Sequence, residues 1–174
     1  MADVLVTRGG LEYGLRSMVG THLHDPTAGS CDHCSELGYV MRSTVLTLRR
    51  SPGYRDMGER EFEPYALEVR RRLFDPTVTS LVAYDPCDPW LVMGFVIGEP
   101  GIVTALHVRG TFRNMGLAEA LAAELGITPG THGIVEFPTC DVLRERPGRT
   151  LPVGLIHNGR WSLTARPWHP AGSP

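Results

Sequence analysis

The clearest hydrophobic pattern lies between residues 61 and 137. From Glu61 to Phe74, the residues Phe62, Tyr65, Leu67, Val69 and Leu73 supply an apolar side, with Arg70, Arg71 and Arg72 largely opposite, which predicts a helix. Val78 to Tyr84 is β-branched and apolar, and Trp90 to Gly98 is a second apolar run. The turn residues Asp85-Pro86-Cys87-Asp88-Pro89 separate them, so the pair predicts a β-hairpin. Glu99-Pro100-Gly101 is a further turn into a third strand, Ile102 to Val108. Thr111 to Gly116 reads as a loop, Leu117 to Leu125 as a helix of strong formers, and Ile134 to Phe137 as a strand.

Outside this stretch the pattern weakens. Asp3 to Arg8 predicts a first strand, Leu11 to Gly20 a short helix, and the polar stretch Thr21 to Gly38 a loop. Val40 to Arg50 fits either a strand or a short helix, and Pro52, Gly53 and Gly58 then break the chain. Beyond Pro138, Val142 to Arg146 is a helical fragment, and Pro152 to Ile156 and Arg160 to Thr164 are two short strands. Residues 167–174 form a tail, leaving one domain over 1–166 with its core at 61–137. Helix, three antiparallel strands, helix and strand describe an α+β (mixed α/β) domain on a central, largely antiparallel sheet flanked by helices.

Composition narrows the chemistry. All 17 basic residues are arginine, and glutamine is absent too, as GC-rich coding would give. Without lysine there is no Schiff-base nucleophile and no Walker-type phosphate lysine. The formal net charge of -2 argues against a nucleic-acid partner. No apolar run reaches the roughly 18–20 residues of a membrane span, and Met1-Ala2-Asp3 does not open a secretory leader. Four cysteines in 174 residues do not make a disulfide scaffold, so a reducing, cytoplasmic setting is expected.

The segment from Val108 to Ala118 carries the chemistry. A strand ends, a loop with Arg109, Arg113, Gly110 and Gly116 follows, and a helix begins after Gly116. A helix start presents unpaired N–H groups to an anion, and Gly116 and Ala118 leave room for a phosphate to approach the backbone. Arg113-x-x-Gly116-x-Ala118 resembles the Gln/Arg-x-x-Gly-x-Gly/Ala loop of the GNAT acetyltransferases, whose amides hold the pyrophosphate of acetyl-CoA. The "V-R-x-x-F-R" before the loop, the Leu/Ala helix after it, and the hairpin with Gly94-Phe95 on its second strand fit the same family. The likeness covers about residues 61–137 and extends to GNAT-like proteins of tailed bacteriophages, through the hairpin "A-x-D-P-x-D-P".

The resemblance implies a GNAT-like fold and an N-acyltransferase that uses acetyl-CoA and an amine acceptor. It assigns the cofactor to Leu106, Val108, Arg113, Met115, Gly116, Leu117 and Ala118. It also implies that Ala105 to Val108 lies open on one side, for hydrogen bonds to the pantetheine arm. The family commonly protonates the leaving thiolate with a tyrosine on a later helix, but no tyrosine follows Tyr84. Candidate substitutes are Glu99, His107, Glu136 and Cys140, each with a plainer reading as solvated carboxylate, packed histidine or inert thiol. The alternative is a GNAT-fold structural or interaction protein with protein partners, such as a phage virion component, that has lost turnover.

His22, His24, Cys31, His33 and Cys34 fall close together. Two thiolates and two imidazoles are a tetrahedral zinc donor set. A single Cys-x-x-Cys with loosely spaced histidines better suits a polar loop with reduced thiols, so no metal is expected. The Arg70 to Arg72 run reads as a solvated helix face offset by Glu59, Glu61, Glu63 and Glu68.

Overall fold

The computed structural model describes residues 4–7, 9–18, 32–50, 54–128, 131–135, 152–156 and 161–165. In chain order the elements are strands β1 (Val4–Val6) and β2 (Glu12–Ser17), helices α1 (Asp32–Arg50) and α2 (Glu59–Phe74), strands β3 (Thr79–Asp85), β4 (Asp88–Glu99) and β5 (Ile102–Val108), helix α3 (Leu117–Ala123), and strands β6 (His132–Val135), β7 (Pro152–Ile156) and β8 (Trp161–Ala165). One mixed sheet holds every strand in the order β1-β2-β3-β4-β5-β6-β8-β7. The pairings are antiparallel from β1 to β5 and between β7 and β8, and parallel where β6 meets β5 and β8.

The expected hairpin and third strand form the centre. β4 is buried continuously from Val92 to Gly98, as a strand covered on both faces must be. On one face Met93, Val96, Val103 and Val108 pack against Leu117, Leu121, Ala122 and Leu125 at and just beyond α3. On the other, Val82, Val92, Phe95 and Ile97 pack against Val40 of α1 and Leu73 of α2. Asp85 and Asp88 hold the turn between the strands, accepting hydrogen bonds from the N–H groups of Cys87 at 2.8 Å and Trp90 at 3.2 Å.

Several expectations need correction. Leu11 to Gly20 is not a helix: residues 12–17 form β2, and Leu11, Tyr13 and Leu15, two apart, pack against the same core face. Gly14, between them, lies under the ring of Tyr84, where a Cβ would come within 2.3 Å of Cζ. The loop expected up to Gly38 ends early, because α1 starts at Asp32 and takes in Val40 to Arg50 as helix. Its buried stripe is Glu36, Val40, Thr44 and Leu48, and two of those four are polar. Glu36 is satisfied by Arg16 of β2, and the Thr44 hydroxyl donates to the Val40 carbonyl at 2.9 Å. On α2 the buried residues are Phe62, Val69 and Leu73, whereas Leu67 is exposed.

The arginine run divides between two roles. Arg71 pairs with Glu68 and Asp75 in solvent, while Arg72 turns inward to Glu68 and to Glu99 at the end of β4. Helix α3 stops at Ala123 rather than Leu125, because Gly126 takes a left-handed φ of 71° and the Ile127 N–H closes onto the Ala122 carbonyl at 3.1 Å. Among the described residues no helix is long and apolar enough to cross a membrane. Phe137, the fragment 142–146 and the tail from 167 lie outside the described residues.

Candidate functional site

The site begins with an irregularity in β5. Ile97 pairs with Ala105 but Gly98 pairs with Val103, so Thr104 is an extra residue on β5. Such a bulge bends its strand. The parallel pairing of β5 with β6 consists of Ile102↔Ile134 and Val103↔Val135, and it ends where the bulge begins. From Thr104 to Val108 the strand is therefore bonded to β4 on one edge and, among the described residues, open on the other. Alternation in an antiparallel pair fixes which groups face the opening. The Arg109 N–H bonds the Met93 carbonyl at 2.9 Å, which aims the main chain of Arg109 and His107 at β4 and that of Leu106 and Val108 outward. In keeping with this, the Arg113 Nε donates to the Val108 carbonyl from the open side at 3.2 Å.

The chain then turns tightly. A single turn of 3-10 helix at Gly110–Phe112 follows Arg109, with the Phe112 N–H on the Arg109 carbonyl at 2.9 Å. Asn114 (φ 63°) and Gly116 (φ 82°) are both left-handed, so the loop doubles back and delivers Leu117 into the core under β4 and β5. Gly9, in the β1–β2 turn, backs this loop so closely that a Cβ there would lie 2.8 Å from the Met115 carbonyl oxygen.

Strand edge and loop enclose a cleft of about 330 Å³. Leu106, Val108, Arg113, Gly116, Leu117 and Ala118, six of the seven residues that the resemblance assigns to the cofactor, line it. Met115 stands outside it, its side chain exposed. His107, Phe112, Asn114 and Thr47 complete the lining. The cleft adjoins a smaller cavity of about 20 Å³ that shares Thr47, Leu106 and His107 and adds Thr44 and Thr104, a volume suited to a single water. Thr44 and Thr47 of α1 carry no signal in the sequence beyond their spacing of three, in a stretch whose pattern fits a strand as well as a helix.

His107 projects from β5 on the α1 side and stacks on Phe95, with ring centroids 5.4 Å apart. Burial, then the charges of Arg113 and Arg109, hold its pKa below the ordinary value, so it is a neutral imidazole with one donor and one acceptor nitrogen. Arg109, two positions on, donates from Nε to the Tyr39 hydroxyl at 3.2 Å and lies over that ring at 5.0 Å. Glu99 is not part of this group: it ends β4 at the opposite end of the hairpin, paired with Arg72. Glu136 and Cys140 lie outside the described residues, as do His22, His24 and Cys31, while His33 and Cys34 fall in the first turn of α1.

A hairpin, a strand with one free edge, and a loop that returns the chain into a helix beneath that strand are together the arrangement the resemblance implies. The fold is the α+β (mixed α/β) domain that the sequence predicts. No family model and no curated protein matches the chain. Solved structures similar to it include apo YjaB from Escherichia coli (14% identity, TM-score 0.40), AAC(6')-Iy in complex with a CoA-containing bisubstrate analogue (15%, 0.37), and the ribosomal-protein-alanine N-acetyltransferase of Brucella melitensis (15%, 0.37). Each match covers 66% of this chain, and 65%, 69% and 69% of the other chain respectively.

Proposed function

We propose that this chain is an N-acyltransferase of the GNAT superfamily that takes acetyl-CoA and an amine. The observation that carries the reading is the free edge of β5, which opens into the cleft and runs directly into the left-handed loop. The lining suits the ligand. The outward main chain of Leu106 and the outward N–H of Val108, whose carbonyl Arg113 already takes, match an amide-bearing arm laid alongside as an added strand. Main-chain groups from Gly116 to Ala118, with the guanidinium of Arg113, match phosphates. No carboxylate lines the cleft among the described residues.

Acetyl-CoA supplies an acetyl group activated as a thioester. In the overall reaction a C–N bond forms, the C–S bond breaks, the nitrogen loses one proton and the sulfur gains one. Among the described lining residues, His107 alone carries an imidazole, and burial keeps it neutral at neutral pH. In this reading its neutral imidazole takes the proton from the attacking amine and returns it to the departing sulfur. The main chain of Val108 and Arg109, bonded to Arg113 on one side and to Met93 on the other, keeps that strand from shifting as the amine arrives.

The test is to incubate the chain with acetyl-CoA and a panel of primary amines, following free thiol and acetylated amine together. Equal amounts of both, lost in His107→Ala, support the reading; no product with any amine counts against it. A second reading, a GNAT-fold interaction protein without turnover, is favoured by the absence of tyrosine after Tyr84. It predicts acetyl-CoA binding without either product.

A further inference from the structure

Next to His107, just outside the lining of the cleft, stands a charge that the reaction does not use. Arg109, the first residue past β5, continues the ladder to Met93 and lies two residues beyond His107, a rise of about 6.6 Å in extended chain. Its guanidinium is held by the Tyr39 hydroxyl through Nε and by the Tyr39 ring beneath it. Neither Arg109 nor Arg113 forms an ion pair among the described residues, whereas Arg16, Arg55, Arg71 and Arg72 do. Arg113 is turned to the Val108 carbonyl on the loop side of β5. Arg109 therefore stands two residues from His107, partly exposed, with its Nε on a neutral partner and no ion pair on its fork among the described residues.

From this juxtaposition we infer that the acceptor is an amine carrying a carboxylate, with the nitrogen at His107 and the carboxylate on the Arg109 fork. The inference rests on the acyltransferase reading and names its substrate class. A planar fork with two free N–H groups matches a carboxylate in bidentate fashion. The spacing suits a short ω-amino acid better than a bare amine, which would leave the arginine unused. A polycationic acceptor is disfavoured twice, by repulsion from Arg109 and by the lack of any carboxylate in the described lining. Tyr39 is then a positioning residue: it fixes Arg109 and touches no substrate.

The experiment compares β-alanine, its neutral amide and 1,3-diaminopropane as acceptors at saturating acetyl-CoA. The expected result is a kcat/KM for β-alanine at least about tenfold above that for the amide, with the diamine lowest; tenfold is about 1.4 kcal/mol. Arg109→Gln should raise KM for β-alanine by a similar factor with little change in kcat, erasing the preference, and Arg109→Lys should restore part of it. Tyr39→Phe should shift KM in the same direction by less. Unchanged acetyl-CoA binding by Arg109→Gln shows that the variant is folded. Equal or better use of the amide or diamine overturns the inference, as does a preference that survives Arg109→Gln. If acetyl-CoA binds but nothing turns over, calorimetry with N-acetyl-β-alanine and its amide must show the same acid preference, and equal binding overturns the inference alone. If acetyl-CoA does not bind, the acyltransferase reading falls and the inference falls with it.

Discussion

Gly94 is the position at which one atom should separate β5 from its support. A Cβ built there lies 2.7 Å from the His107 carbonyl oxygen, 3.2 Å from Leu121 Cδ1 and 3.4 Å from the Val108 Cα. Two of these three are main chain, and the third belongs to a fully buried side chain of α3, so no flexible group can yield. Relief requires β5 to move from β4 by several tenths of an ångström at the two residues that line the cleft. Overpacking of this kind costs about 1–3 kcal/mol. At about 2–4 °C per kcal/mol for a chain of this size, Gly94→Ala should lower Tm by roughly 2–12 °C. The contrast is Gly38→Ala, inside α1, where a Cβ meets nothing within 4 Å. That change should add about 0.5–1 kcal/mol through helix propensity alone. Both are read by urea unfolding of the full chain. A Gly94→Ala variant as stable as the parent would refute the claim that β4 and β5 meet there without slack.

Glu36→Ala should cost about 2–3 kcal/mol in urea unfolding, since it removes the buried partner of Arg16; the cost is below that of a fully buried pair because Arg16 keeps the Pro89 carbonyl at 2.7 Å and the Tyr84 ring at 4.7 Å. Loss of less than half a kcal/mol would show that the pair does not tie α1 to β2. For His107 the folded pKa lies below the unfolded one, chiefly through burial and then through Arg113 and Arg109. Its contribution to stability is therefore fully present above about pH 6.5 and is lost as pH falls from there through the folded value. Urea unfolding at several pH values should show this slope in the parent and a flatter one in His107→Gln, and NMR titration should give a midpoint below that of a free histidine. A midpoint at or above the free value would contradict the described burial.

How much of this was legible follows from what each element buries. The hairpin, β5 and the start of α3 were readable because the buried positions from Val78 to Ala122 are apolar, Ser80 and Thr104 apart, and the turns carry Asp, Pro and Gly. Helix α1 was not, because half of its buried stripe is Glu36 and Thr44, and their partners, Arg16 and the helix's own carbonyl, cannot be seen along the chain. Strand β2 did carry a period of two at Leu11, Tyr13 and Leu15, but three positions around a glycine gave a helix reading an equal footing. In the site, the loop residues followed from the spacing of Arg113, Gly116 and Ala118. The opening beside them did not. It depends on the register slip at Thr104, which leaves no mark on β5 itself, and on Gly98 across from it, where a Cβ would fall 2.0 Å from the Ile102 carbonyl oxygen. The Tyr39–Arg109 contact joins α1 to the end of β5 across 70 residues of sequence, and Thr47 lines the cleft with His107 from the same helix; only the folded chain brings them together.

Whether the open edge of β5 and the loop after it hold acetyl-CoA, as proposed, is decided by calorimetric titration of the chain with acetyl-CoA. Binding should be saturable and one-to-one, and abolished by Gly116→Glu, which sets a carboxylate and a Cβ at a left-handed position in the cradle. Ligand at about 100 times Kd should also add about 2.7 kcal/mol of stability to the parent and nothing to the variant. No heat and no thermal stabilisation at millimolar acetyl-CoA, or equal binding by Gly116→Glu, would contradict the proposal.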